Sequence, residues 1–337
     1  MSTSDIKILA IESSCDETSA AIINNGKVLN NYIATQSVHE NYGGVVPELA
    51  SRAHQQNIVP VVDKALKDAK LRPSDLSAIA FTRGPGLMGA LLVGTSFAKS
   101  MALALDLPLI EVNHMQAHIL AHFIDNPKPN FPFLCLTVSG GHTQIVCVKN
   151  HLDMEVIGET HDDAVGEAFD KSAKLLGLGY PGGPKIDQLA QKGDQRKFDF
   201  PETEMQGYHY SFSGIKTAIL YFLRDRLKTN EHFIQENLPD IAASIQYTLI
   251  KMLLQKLRKA ARELKINEIA LAGGVSANSG LRSSLKELAE KEGWNTYIPA
   301  FEYCTDNAGM IAMAAHFKYL KKEFVGQEVS ALPRLKI

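Results

Sequence analysis

This chain reads as an α/β fold of two similarly built lobes. A strand, polar turn, strand plan occurs twice, as "IKILAIESSCDETSAAII" at 6–23 and "FPFLCLTVSGGHTQIVCV" at 131–148. Two apolar runs around a short polar turn are the signature of a β-hairpin. A strand, glycine turn, helix order also occurs twice, at 78–105 and at 268–291. The repeat is one of pattern, not of residue identity, and it predicts two facing α/β units. The Pro- and Asn-rich "DNPKPNFP", 125–132, is the expected connector. The lobes are therefore expected at 1–126 and 127–306, with a last helix over about 306–322 and the tail 307–337 packing back on the first lobe.

Composition narrows the class. Hydrophobic residues make up 45% and charged residues 21% of the 337, as in ordinary globular chains. No basic segment followed by an apolar one marks a secretory signal, and no apolar run reads as a membrane span. Cys15, Cys135, Cys147 and Cys304 are scattered without a C-x-x-C pair, which argues against a zinc ribbon or a disulfide framework and suits a reducing cytoplasm. A net charge of −2 neither calls for nor excludes a nucleic-acid partner.

The first hairpin tip, "SSCDET", carries Asp16 and Glu17. They suit a solvated turn and equally an acid/base pair at a cleft. Cys15 has no local His partner, so packing is its plainer role. Glycine turns stand at 84–89, 139–142, 181–184 and 273–278, all taken to follow strands. Glycine lets backbone amides approach an anion, and a helix N-terminus adds positive potential. None fits the P-loop or the dinucleotide fingerprint. In "HMQAHILAH", His114, His118 and His122 recur every four residues, so a helix would stack them on one face. Met115 stands where a zinc protease has its catalytic Glu. A metal would need a third ligand: Asp306, which also suits a helix N-cap, or His142. The basic stretch at 251–265 reads as a solvated helix face.

Taken together, "IESSCDET", "GGVVPELASR", "GPGLMGALLVG", "NHMQAH", "VSGGHTQ", "GEAFDK", "YPGGP", "SFSGIKT", "GGVSAN" and "TDNAGMIA" resemble, in order, the tRNA N6-adenosine threonylcarbamoyltransferases, formerly called O-sialoglycoprotein endopeptidases. The resemblance covers Ile8 to Ile311. It implies a two-lobed actin, sugar-kinase and Hsp70 (ASKHA) fold, with duplicated RNase H-like lobes and an interlobe cleft. It implies transfer of a threonylcarbamoyl group from threonylcarbamoyl-adenylate to N6 of the adenosine 3′ of the anticodon, in tRNAs reading codons that begin with A, with release of AMP. An ATP-dependent small-molecule kinase of the same fold is the alternative, and a non-catalytic scaffold is a third reading.

Carried over motif by motif, the resemblance makes His114, His118 and Asp306 ligands of one divalent metal, Fe(2+) or Zn(2+), and leaves His122 structural. Val138, Ser139, Gly140, Gly141 and His142 would embrace the acyl-adenylate, with Asp170, Gly183, Asn278 and, more weakly, Asp187 as nucleotide contacts. The amides of Ser139–Gly141 would form an oxyanion hole. Asp16 is the expected general base for the N6 proton, with Glu17 orienting it or touching RNA. The implied partners are tRNA, a pseudo-enzyme paralogue of TsaB type and a small ATPase of TsaE type. The implied location is cytoplasmic, with no membrane attachment.

Overall fold

The computed structural model describes residues 5–337. The chain forms two compact units. The first comprises the chain up to Lys128, Asn150–Met154 and Pro299–Ile337; the second comprises Pro129–Lys149 and Glu155–Ile298.

In the first unit, β1 (Lys7–Glu12), β2 (Glu17–Asn24), β3 (Lys27–Thr35), β4 (Ala78–Gly84) and β5 (Leu109–Asn113) form one sheet in the order β3-β2-β1-β4-β5. β1 runs antiparallel to β2, from Lys7↔Asn24 to Glu12↔Ser19, and parallel to β4. Ile8–Ile11 form an uninterrupted buried run, because this central strand is covered on both faces. α1 (Pro47–Asp68) and α2 (Met88–Leu105) bring Ile58, Val62, Ala65, Ala98 and Ala102 against Leu9, Ile11 and Ile22. Each large aliphatic residue so buried contributes roughly 1.5–3 kcal/mol. α3 (His114–Leu120) follows β5 directly. α9 (Ala308–Leu320) packs on β1, β2 and α3 through an entirely buried Ala308–Ala315.

α2 is long and apolar enough, by length and composition, to cross a membrane, a property the reading of apolar runs missed. Its Ala90, Leu91, Gly94 and Ala98 face the core. Beyond α9 the chain returns as a strap: Leu332 N–H donates to the Arg83 carbonyl (2.8 Å), and Gly86 N–H donates to the Pro333 carbonyl (3.2 Å). Asn113 Nδ2 donates to the Lys336 carbonyl (3.0 Å).

The second unit repeats the plan. β6 (Phe133–Val138), β7 (Thr143–Asn150), β8 (Asp153–Glu159), β9 (Glu268–Ala272) and β10 (Asn295–Tyr297) lie in the order β10-β9-β6-β7-β8. The hairpin β6–β7 is antiparallel, and β9 joins β6 in parallel from Leu134↔Ile269 to Thr137↔Ala272. α4 (Val165–Leu175), α5 (Gly182–Ala190), α6 (Ser213–Leu227), α7 (Phe233–Leu264) and α8 (Ser279–Glu292) supply the helices. Both expected hairpins and the duplicated α/β plan are thus present. One turn was misplaced: 181–184 joins two helices and opens α5, rather than following a strand.

Gly273, at the end of β9, has φ +85°, and a Cβ there would stand 2.4 Å from the Val138 carbonyl oxygen. Neither backbone can yield cheaply. Gly273→Ala is expected to destabilise the protein by about 1–3 kcal/mol. Denaturant unfolding reads this directly, and an unchanged midpoint would contradict the close approach.

Candidate functional site

The two candidate histidines owe their placement to Asn113. Its side chain caps α3, accepting from the backbone N–H of Met115 (2.9 Å) and of Gln116 (3.2 Å). His114 is then the first residue of the helix, and His118 stands one turn on, with ring centroids 4.7 Å apart and edge-on. Asp306 arrives from just before α9. It is not the N-cap the sequence suggested: Asn307 caps α9, accepting from Met310 N–H. Asp306 Oδ1 lies 3.3 Å from His114 Nε2 and 3.1 Å from His118 Nε2. One donor atom from each of the three lies within 4.8 Å of the others, and neither His122 nor His142 belongs to the group.

The donor set fits a divalent cation. Ligands held about 2.1 Å from an ion at near-tetrahedral angles stand roughly 3–3.5 Å from one another, the spacing seen between Asp306 and each imidazole. Outside the three lies Glu12, which the sequence reading passed over. Fully buried at the end of β1, it accepts from His114 Nδ1 (3.0 Å), Thr82 Oγ1 (2.7 Å) and Ser14 N–H (2.5 Å). With Nδ1–H given to Glu12, His114 presents Nε2 to Asp306, donating to it while the ring is charged; loss of that Nε2 proton would free the lone pair for a cation, with Glu12 as the carboxylate behind a metal-binding imidazole. Burial alone would lower the His114 pKa, but the Asp306 and Glu12 carboxylates raise it well above the ordinary value. Burial would raise Asp306, yet the charge and hydrogen bonds of the histidines hold it well below the carboxylate range. His118 is lowered, chiefly by burial.

The acidic turn adjoins this cluster through Ser14, whose hydroxyl lies 3.3 Å from His114 Nδ1. Burial, then the charges of Asp306 and Asp16, push Glu17 up to about 9. It is therefore protonated near neutrality and suited to donate a hydrogen bond rather than to accept a proton. Burial and the same carboxylates push the Cys15 thiol far up, which removes it as a thiolate nucleophile.

In the second unit the candidate residues gather around three turns. The hairpin turn after Val138 is tied inward: Ser139 N–H donates to the His142 carbonyl, while Gly141 N–H (3.3 Å) and His142 N–H (3.0 Å) donate to Ser139 Oγ. The oxyanion hole expected from Ser139–Gly141 is thus not preformed, since short polar turns satisfy their own amides first. Among the described residues, the Gly140 amide is the one in this turn with no such bond. α4 is docked on the same turn by Val165 N–H to Thr143 Oγ1 and Gly166 N–H to the Ser139 carbonyl. It carries Asp170, whose Oδ1 accepts from Gly182 N–H (2.7 Å) and Gly183 N–H (3.3 Å) and so holds the start of α5. Asp187 binds Ser279 through both oxygens. Asn278 caps α8 through Leu281 N–H and donates to Gln246 Oε1 (2.7 Å). A Cβ placed on Gly140, Gly141 or Gly274 would meet nothing within 4 Å, so these glycines face open space.

The family model for tRNA N6-adenosine threonylcarbamoyltransferase matches residues 27–313. Proteins of that name are similar along the whole chain. One from Christiangramia forsetii is 62% identical, covering 100% of both chains; one from Cytophaga hutchinsonii is 61% identical, covering 98% of this chain and 97% of its own. Among solved structures, full-length HypF superposes with a TM-score of 0.64 at 16% identity, over 94% of this chain and 46% of that one. The component A of (R)-2-hydroxyglutaryl-CoA dehydratase from Acidaminococcus fermentans superposes at 0.54 and 15% identity, over 94% and 99%. At such identities the likeness is one of fold, and it is the ASKHA fold expected from the sequence.

Two outcomes test the metal reading without any assay of turnover. His114→Ala and His118→Ala should each abolish stoichiometric binding of Zn(2+) or Fe(2+) by elemental analysis, whereas His122→Ala should retain it; full occupancy in the double variant would sink the assignment. Because His114 holds a proton that a cation must displace, binding should release about one proton per ion, and affinity should fall as pH falls. Calorimetry in two buffers of different ionisation enthalpy measures that number, and no release would refute the charged state assigned to His114.

Proposed function

The chain belongs to the tRNA N6-adenosine threonylcarbamoyltransferase family, and from that premise we propose how its residues carry the acyl transfer. It is an acyltransferase that modifies tRNA; the matched names lend no support to the small-molecule kinase. We take the donor to be threonylcarbamoyl-adenylate and the acceptor to be N6 of the adenosine 3′ of the anticodon in tRNAs reading A-starting codons.

The reaction joins N6 to the carbamoyl carbon, breaks the bond from that carbon to the phosphate oxygen, and releases AMP with one proton to be taken from N6. The N6 lone pair is delocalised into the ring, so removing that proton as the bond forms lowers the barrier. Asp16 is our candidate base. Glu17, protonated near neutrality, supports this role by donating to its neighbour rather than competing for the proton. A divalent cation held by His114, His118 and Asp306, Fe(2+) or Zn(2+), would supply positive charge to a phosphate or carbonyl oxygen. The observation that carries this reading is the convergence of those three residues beside the acidic turn, within one unit.

For the second unit we propose that the open glycine faces at 140–141 and 274 receive the adenylate, with the Gly140 amide as its backbone donor. Val138, Ser139, His142, Asp170, Gly183, Asp187 and Asn278 shape that surface. The protein-side bonds of Asp187 and Asn278 support a role in holding α8 in place as much as direct contact. Family membership also leads us to propose a TsaB-type paralogue and a TsaE-type ATPase as helpers, and a cytoplasmic location.

Asp16→Asn should lower single-turnover transfer by about 10²–10⁴-fold, the usual size of a general-base contribution. Metal content and folding should stay intact, since Asn is also a good turn residue. The assay supplies purified protein, helpers, tRNA and pre-formed adenylate, and counts modified adenosine by mass spectrometry. A near wild-type rate would remove Asp16 as the base, and no modified adenosine from the unaltered protein would overturn the acyl transfer itself.

A further inference from the structure

The segment "GGVVPELASR" leads into α1 and, two residues later, to His54, which no step above uses. His54 is completely buried. Its Nε2 lies 2.9 Å from the Cys15 carbonyl oxygen and its Nδ1 lies 2.7 Å from Thr18 Oγ1. A carbonyl can only accept, so Nε2 carries the hydrogen. Nδ1, in a neutral ring, then accepts from the Thr18 hydroxyl. One rigid ring therefore ties both ends of the turn that contains Asp16 and Glu17.

We infer that His54 is a positioning residue: held in the Nε2–H form by Cys15 and Thr18, it fixes the Cys15–Thr18 turn and thereby aims the Asp16 carboxylate. The inference rests on the assignment of Asp16 as base. The surroundings make the ring a firm strut. α1 is anchored at its start by Gln36 Nε2 donating to the Ala50 carbonyl, and Gln36 Oε1 meets His39 Nε2 at 2.9 Å. α2 closes on the same region at small residues: a Cβ on Gly89 would stand 2.2 Å from Ser51 Oγ, and one on Gly94 would stand 2.2 Å from Ser13 Oγ. Burial lowers the pKa of His54, in keeping with a neutral ring.

Misplacing a reacting group by about 1 Å costs on the order of 10²-fold. His54→Ala should therefore lower single-turnover transfer at saturating adenylate and tRNA by roughly 10–10²-fold, with metal content unchanged. His54→Gln, which can still donate to the Cys15 carbonyl, should recover most of the loss. In an Asp16→Asn background His54→Ala should cost nothing more, because groups acting through one another are not additive. ¹⁵N NMR of the metal-free protein should show His54 protonated at Nε2 alone near neutral pH. A wild-type rate for His54→Ala beside an impaired Asp16→Asn ends this proposal, as does a full additive loss in the double variant or an Nδ1–H form by NMR. A wild-type rate for Asp16→Asn instead ends the base assignment. If His54→Ala does not fold, Thr18→Val takes its place in the same cycle.

Discussion

One carboxylate oxygen organises the first unit. Asp306 Oδ1 meets His114 Nε2 and His118 Nε2 across 188 residues of sequence, reckoned from His118. A half-buried carboxylate left without partners would lose much of its hydration for no return, so docking of α9 on β1 and β2 is favoured in the register that delivers Asp306 to the imidazoles. Glu12 answers from the opposite side of His114. The buried Glu12 and the half-buried Asp306 face one charged imidazole, which leaves a net negative charge; a dication that displaced the imidazole proton would bring the group to neutrality. The same arrangement thus serves the packing of α9 and offers three donor atoms that could hold a cation.

The sequence made the outlines legible because they are local. A hairpin needs two apolar runs and a turn; a shared helix face needs spacing by four. Lys7–Asn24, Phe133–Asn150 and the His114/His118 pair all lie within such windows. What escaped depends on partners far apart in sequence. Glu12 in "AIESS" looks like a strand end until His114 meets it 102 residues later. His54 looks like a helix residue until the turn 39 residues before it comes into reach. Asp306 and Asn307 are equally good caps on paper, and only the pull of two histidines decides which one is free to cap. The inward-facing amides of the 139–142 turn escaped for a different reason: Ser139 closes the turn on itself, which no period in the sequence records.

Among the described residues of the second unit, no group of His, Cys, Asp and Glu like that of the first unit comes together. Its candidate residues act chiefly on backbone: Asp170 holds the first amides of α5, Asp187 ties α5 to α8, and Asn278 starts α8. What this framework leaves uncovered is a set of glycine faces rather than side chains. A surface of that kind suits a flat or anionic ligand that must approach the main chain closely.

The strap at the end of the described chain bears on how the protein is made. Asn113, which starts the helix carrying both histidines, gives its amide hydrogen to the Lys336 carbonyl, and Asp306 lies only thirty residues earlier. During synthesis from the N-terminus, the hairpins and the histidine helix emerge long before either partner exists. A ribosome-bound chain therefore displays both imidazoles without the carboxylate of Asp306. The three-residue group is complete only once Asp306, 188 residues after His118, has been made, so a half-made chain offers a cation only part of it.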